Sequence, residues 1–206
     1  MVMDYMCGYY WNGEGEVSLV LKQLAFHGMD MPVLFACLAE GRTRKAFVEE
    51  MTEWFHKKAV ACCQKGERGM NVLESNFDKL VKKRFDSMKA ASVLLCVGDT
   101  FFLWRKGTQK IWLLNTRFGK PHSRMLLAED EQGDGEMLSG EFESGVGILL
   151  ATQGFCEGIV DEQLNACLAV KELDKENKIE KRLKELGEES ERKGKKHVAA
   201  VLVVTC

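Results

Sequence analysis

The segment "ASVLLCVGDTFFLWRKGTQKIWLLN", Ala91–Asn115, contains three apolar runs of strand length joined by two short turns. The turns are Gly98-Asp99 and Gly107-Thr108, and two-residue turns of this composition are typical of β-hairpins. Because hairpins join antiparallel neighbours, the segment predicts three consecutive antiparallel strands. We expect its run "FFLW", Phe101–Trp104, to lie in the core rather than on a docking surface.

The segments on either side place strands and helices in blocks. Upstream, apolar strands in "EVSLVLKQLAF" and "VLFACLAEG" precede two amphipathic helices, Thr43 to about Cys63 and Asn71 to about Met88, and Thr43 is expected to cap the first. Downstream, we predict strands in "RMLLAED" and "GVGILLAT", helices in "VDEQLNACLAV" and from about Lys175 to Lys193, and a closing strand in "HVAAVLVV". This order indicates an α+β fold with antiparallel sheets and disfavours an alternating βαβ sheet.

Length and composition narrow the class of protein. The chain has 206 residues, 46% of them hydrophobic, and a net charge of −2, which predicts one domain over residues 1–206 and no nucleic-acid partner. No apolar run reaches membrane-spanning length and no signal peptide is evident, so we expect a cytoplasmic protein without a membrane partner. The eight cysteines include no Cys-x-x-Cys pair, and we interpret them as reduced, mostly buried thiols.

Four apolar strands begin or end at a short polar motif. The run "LFACLAEG" ends at Glu40-Gly41, and the turn Gly107-Thr108 precedes "KIWLLN". The run "GILLATQGF" ends at Gln153, where a neutral amide follows a buried strand. The segment "GKKHVAAVLVV" enters its strand at His197.

In their order along the chain and in the apolar residues around them, these motifs resemble those of the metal-dependent serine/threonine protein phosphatases of type 2C (the PPM family), particularly the compact bacterial members. The matching family motifs are Asp-Gly, Gly-Asp-Ser-Arg, Leu-Leu-x-Ser-Asp-Gly-Phe and Asp-Asn, and the resemblance covers nearly the whole chain. It implies a four-layer αββα sandwich, with two antiparallel sheets packed face to face and helices outside. It also implies two Mn²⁺ or Mg²⁺ ions held between the sheets by carboxylates.

The motif residues themselves depart from the family pattern. The first motif keeps an acid, Glu40, but Thr108, Gln153 and His197 stand where the resemblance implies metal-binding aspartates. An alternative register would put the second motif on Gly98-Asp99-Thr100, which leaves no room for the preceding strand. The family's early acidic motif would fall near "KQL", residues 22–24, which has no carboxylate. Hard dications require anionic oxygen ligands, so we predict that both metals are lost and that no residue is catalytic.

Basic residues flank two of these motifs: Arg42, Arg44 and Lys45 follow Gly41, and Lys195 and Lys196 precede His197. If both groups converge on the former metal site, they could bind a phosphoryl group without activating water. They could equally be solvated loop charges, and Gln153 and His197 could serve only to bond loop backbone.

The leading hypothesis is therefore a pseudophosphatase with a binding or regulatory role in bacterial serine/threonine phosphorylation, with a phosphoprotein or kinase as partner. One alternative is an active Mn²⁺- or Mg²⁺-dependent phosphatase with remodelled ligands. The other is a protein-interaction module without phosphate chemistry.

Overall fold

The computed structural model describes residues 4–13, 16–24, 32–59, 72, 75–77, 79–81, 88–127 and 135–206. Within these residues, ten strands form two five-stranded sheets in which every neighbouring pair is antiparallel. Sheet one has the order β1-β10-β9-β6-β7, with β1 Tyr5–Trp11, β6 Lys110–Arg117, β7 Lys120–Leu127, β9 Gly147–Ala151 and β10 Ala199–Thr205. Sheet two has the order β2-β3-β4-β5-β8, with β2 Val17–Leu24, β3 Val33–Glu40, β4 Ala90–Val97, β5 Thr100–Lys106 and β8 Glu136–Glu141.

The two sheets pack face to face, and each carries helices on its outer face. Strand β3 shows why: Leu34, Ala36 and Leu38 belong to the core between the sheets. The alternate residues Phe35 and Cys37 belong to a second core beneath helix α1, Arg44–Trp54. A strand buried on both faces reads as a continuous apolar run, and the predicted αββα arrangement and α+β class are confirmed.

Four α-helices have both of their ends within the described residues. After α1 the chain continues as a π-helical turn, Phe55–Ala59, so the α-helix ends before the predicted limit at Cys63, and residues 60–63 lie outside the described part. The other three are α2 Gln153–Glu157, α3 Asp161–Cys167 and α4 Glu176–Arg192, with a 3-10 turn at Val170–Glu172. Of the helix predicted over 71–88, residues 72, 75–77 and 79–81 are helical and most of the rest lie outside the described residues.

Some local predictions were wrong. Thr43 is the N-cap residue of α1, but its hydroxyl does not cap the helix and instead donates to the sulfur of Met88 at 3.8 Å. Strands β1 and β8 were not predicted, because both are edge strands without a clean apolar alternation. Strand β10 begins at Ala199, two residues after His197, which has a left-handed backbone with φ 57°.

The predicted hairpin at Gly98-Asp99 is present, because β4 pairs with β5. The predicted hairpin at Gly107-Thr108 was wrong: β5 lies in sheet two and β6 in sheet one, so this turn leads the chain from one sheet to the other, and Ala91–Asn115 does not form three consecutive paired strands. The run Phe101–Trp104 is buried in β5 as expected. The turn between β5 and β6 needs glycine at Gly107, where φ is +75° and a Cβ would lie 2.1 Å from the carbonyl oxygen of Lys89. The described cysteines are free thiols, and Cys37, Cys96 and Cys156 are buried. No helix among the described residues is long and apolar enough to cross a membrane.

Candidate functional site

Four strand termini meet at one end of the sandwich and bring together the positions that the sequence singled out. Glu40 ends β3, Gln109 directly precedes β6, Gln153 follows β9, and His197 lies just before β10. We call these four residues the strand-end site. Strand register explains the convergence, because Lys110 pairs with Ala151 and Ala151 pairs with Ala200.

Three of these residues form a continuous polar network. The hydroxyl of Ser92 donates to Oε1 of Gln109 at 2.5 Å, and Nε2 of Gln109 donates to Oε1 of Glu40 at 3.3 Å. The backbone N–H of Gln153 also donates to the Glu40 carboxylate. Ser92 and Gln109 are fully buried, so these contacts replace water for side chains that would otherwise be unsatisfied.

Glu40 carries a perturbed carboxyl group. Burial raises its pKa to about 7, against the opposing effects of the Gln109 hydrogen bond, the charge of Lys89 and the Gln153 backbone N–H. The folded protein therefore holds the proton on this carboxyl to a higher pH than an exposed glutamate does.

His197 is fixed by the turn between β1 and β2. Its Nδ1 accepts the backbone N–H of Glu16 at 3.0 Å, and the carbonyl of Glu16 accepts the N–H of Gly41 at 2.9 Å. Glu16 thus joins the histidine to the residue that follows Glu40. With Nδ1 engaged, only the other ring nitrogen of His197 is left for a ligand.

The sequence placed Gln153 at the end of a strand, and in the structure it is the first residue of helix α2, which follows β9. Thr152 caps that helix by accepting the N–H of Phe155, and its hydroxyl also bonds the backbone of Ala199 in β10. The amide of Gln153 donates to Glu157 at 2.6 Å.

Helix α2 and the segment before β10 are in direct contact. A Cβ on Gly154 would lie 1.9 Å from the carbonyl oxygen of Lys196, so only glycine permits this approach. Glu157 also pairs with Lys195 at 3.1 Å, and that hydrogen bond, followed by the one from Gln153, lowers the pKa of Glu157.

The predicted basic residues fall into two groups. Arg44 donates to the carbonyl of Gly41 at 3.0 Å, and Lys195 is paired with Glu157, so both serve local structure. Arg42, Lys45 and Lys196 are exposed and form no ion pair within the described part of the chain. Arg42 and Lys196 each adjoin one end of the Gly41–Glu16–His197 chain of hydrogen bonds, so the two basic segments meet at the same corner.

Two placements need correction. Thr108 lies in the turn between β5 and β6, and the side chain that reaches Glu40 is that of its neighbour, Gln109. Residues 22–24 pair with the start of β3, at the opposite end from Glu40, so they are not part of the site.

The sequence analysis missed Glu16, an acid at the correct end of β2. The signal was present in the strand pattern. An antiparallel neighbour of β3 must begin where β3 ends, so the acid before β2, and not one within or after it, lies beside Glu40.

The residues of the strand-end site do not fit a pair of hard dications. Oxygen-rich, mostly anionic ligands are required, whereas the four residues of the site offer one partly neutral carboxyl, two neutral amides and one imidazole, and the adjacent Glu16 adds one further acid. The nearby acid Glu157 is already engaged by Lys195 and Gln153. Among the described residues, no group of three or more His, Cys, Asp or Glu side chains is arranged to hold a metal ion.

No protein-family model matches the chain, and no curated protein matches it significantly in sequence. Solved structures, in contrast, include proteins with a similar fold. A bacterial serine phosphatase superposes with a TM-score of 0.65 at 12% identity, covering 99% of this chain and 98% of that one. The catalytic domain of the serine/threonine phosphatase PstP, in complex with two manganese ions, gives 0.57 at 13% identity, covering 99% and 98%.

The phosphatase domain of SpoIIE from Bacillus subtilis gives a TM-score of 0.53 at 14% identity, covering 98% of this chain and 92% of that one. Near-complete coverage in both directions means that the strand order and the helical layers are shared, not a common submotif alone. The chain therefore has the fold of the type-2C serine/threonine protein phosphatases, as the resemblance implied.

Proposed function

We propose that this protein is a pseudophosphatase that binds phosphorylated protein segments without hydrolysing them and acts in bacterial serine/threonine phosphorylation signalling. The observation that carries the proposal is the strand-end site itself. The PstP catalytic domain, which has a similar fold, is in complex with two manganese ions, whereas the strand-end site of this chain is a hydrogen-bonded set of mostly neutral groups. We propose that both metals are lost, since such a set cannot offset the repulsion of two adjacent dications.

Phosphate binding is supported by the charges around the site. Arg42, Lys45 and Lys196 are exposed and form no ion pair within the described residues, and Arg42 and Lys196 adjoin the Gly41–Glu16–His197 hydrogen bonds of the strand-end site. Fixed cations can bind a phosphoryl group electrostatically, but they do not generate the activated water that hydrolysis needs. We further propose that the partner is a phosphoprotein or a kinase and that the protein acts in the cytoplasm.

Two measurements on the wild-type protein separate this function from an active phosphatase. We expect no tight Mn²⁺ binding by calorimetry and no Mn²⁺-dependent turnover of p-nitrophenyl phosphate. Manganese-dependent turnover would refute the proposal in favour of a remodelled enzyme. The variant Gln109→Asp/Gln153→Asp/His197→Asp should gain Mn²⁺ binding, because it returns carboxylates to the corner beside Glu40.

A third measurement tests phosphate recognition. A fluorescent phosphoserine peptide should bind the wild type more tightly than its unphosphorylated form does, and added salt should weaken binding. The variant Arg42→Ala/Lys196→Ala should bind at least about tenfold more weakly. The matched control Lys171→Ala/Lys181→Ala removes two exposed charges elsewhere and should bind within about twofold of wild type. Equal binding of both peptides would instead favour an interaction module without phosphate chemistry.

A further inference from the structure

The β6–β7 hairpin is basic in a chain whose net charge is negative. Residues 110–127 contain four Lys or Arg residues and no Asp or Glu, whereas the whole chain has a net charge of −2. Arg117, Lys120 and Arg124 are exposed and form no ion pair within the described residues. By contrast, helix α4 pairs its cations with acids one turn away, as Lys184 does with Glu188 at 3.7 Å. Arg117, Lys120 and Arg124 thus make no ion pair that stabilises the described part of the fold.

The same three cations share one face of the hairpin. Arg117 pairs with Lys120, and Arg124 pairs with Leu113, which lies four residues before Arg117 on the same side of β6. The last pair between β6 and β9 is Leu114 with Gly147, so the hairpin extends beyond the rest of sheet one. A cationic face is therefore presented at a protruding tip.

Phe118 at that tip is not explained by folding. The residue is fully exposed, and its backbone has a left-handed φ of 50°, followed by Gly119 at 76°. Two consecutive positive φ values are favoured by Asn-Gly, and an aromatic residue is disfavoured at the first position. The ring makes no packing contribution that offsets this conformational cost.

Strand β7 also offers free backbone hydrogen-bonding groups. Among the described strands it pairs with β6 alone, at the edge of sheet one. Because Arg117 and Lys120 close a two-residue hairpin, the backbone N–H of Ser123 points away from β6. Pro121 and the basic side chains disfavour the pairing of this edge with a neutral or basic strand, but they do not repel an acidic strand.

From these observations we infer that the β6–β7 hairpin binds an acidic, extended segment of a partner protein. The segment adds as a strand to β7, its carboxylates face Arg117, Lys120 and Arg124, and an apolar side chain contacts Phe118. Nucleic acid and anionic membrane would match the charge but would not use the backbone edge. Strand β6 separates this surface from the strand-end site by roughly 23 Å, at about 3.3 Å per residue, so the two functions can fail independently.

The test uses a fluorescent peptide of five Glu-Thr repeats. It should bind the wild type, and a Gln-Thr peptide should not. The variant Arg117→Ala/Lys120→Ala/Arg124→Ala should bind at least about tenfold more weakly. The control variant Lys171→Ala/Lys175→Ala/Lys181→Ala loses the same charge at three other exposed positions. Its affinity for the peptide should stay within about twofold of that of the wild type.

Two further measurements distinguish specific peptide binding from an effect on folding and from non-specific attraction between charges. Phe118→Asn should raise or preserve the melting temperature, because Asn-Gly suits the turn, while weakening peptide binding at least about fivefold. N-methylation of alternate peptide backbone nitrogens should abolish binding. Absence of peptide binding, tighter binding of oligo-dT or phosphatidylserine vesicles, or self-association lost in the triple variant would each overturn the inference.

Discussion

Replacing Glu40 by glutamine tests the electrostatics of the strand-end site. Burial raises the pKa of the carboxyl from 4.5 to about 7. Between these values, the folded protein holds a proton that the unfolded chain has released, so stability falls as pH rises. At about 1.4 kcal/mol per pKa unit, the full loss is about 3.4 kcal/mol, and about 2.5 kcal/mol of it falls between about pH 5 and pH 8.

The variant Glu40→Gln removes this titration while keeping the size of the side chain and an oxygen that can accept the Gln153 N–H. Urea unfolding of both proteins at about pH 5 and pH 8 measures the effect. We expect the variant to gain about 2.5 kcal/mol relative to wild type on going to the higher pH. Glu143→Gln makes the same chemical change at an exposed position and serves as the matched control. If the unfolding free energies of Glu40→Gln and wild type differed by the same amount at both pH values, the reasoning would be refuted.

The remaining predictions concern packing around the site. Gly154→Ala should destabilise the protein by about 2 kcal/mol or more in urea unfolding, because its Cβ would lie 1.9 Å from the Lys196 carbonyl oxygen. Gly147→Ala, whose nearest neighbour would be a side-chain atom at 3.3 Å, should cost less, and an equal cost would contradict this explanation. Arg105→Met should cost about 2–4 kcal/mol by the same assay, because the fully buried guanidinium bonds Glu136 at 2.6 Å and two carbonyls of the Gly107 turn. A stability within about 0.5 kcal/mol of wild type would contradict that role.

The sequence patterns predicted antiparallel strands and the α+β class, and the resemblance to the type-2C phosphatases implied the four-layer sandwich. Continuous apolar runs such as Val33–Glu40 indicate strands buried on both faces, and the turn Gly98-Asp99 joins the antiparallel neighbours β4 and β5. The similar turn Gly107-Thr108 instead connects the two sheets, which its local sequence did not reveal. These signals are local, so they can be read without knowing the fold. The edge strand Glu136–Glu141 was missed because its polar composition reflects exposure and not its pairing with β5.

What the tertiary structure decided was how the candidate residues are engaged. The sequence placed Glu40, Gln153 and His197 at strand termini, but it could not identify Gln109 as the side chain that bonds Glu40, or Glu16 as the link to His197. Those partners lie 69 and 181 residues apart in the chain, and strand register brings them together. Composition records which residues are present, whereas burial and hydrogen bonding depend on long-range pairing, and they determine whether a carboxyl is charged or a cation is free to bind.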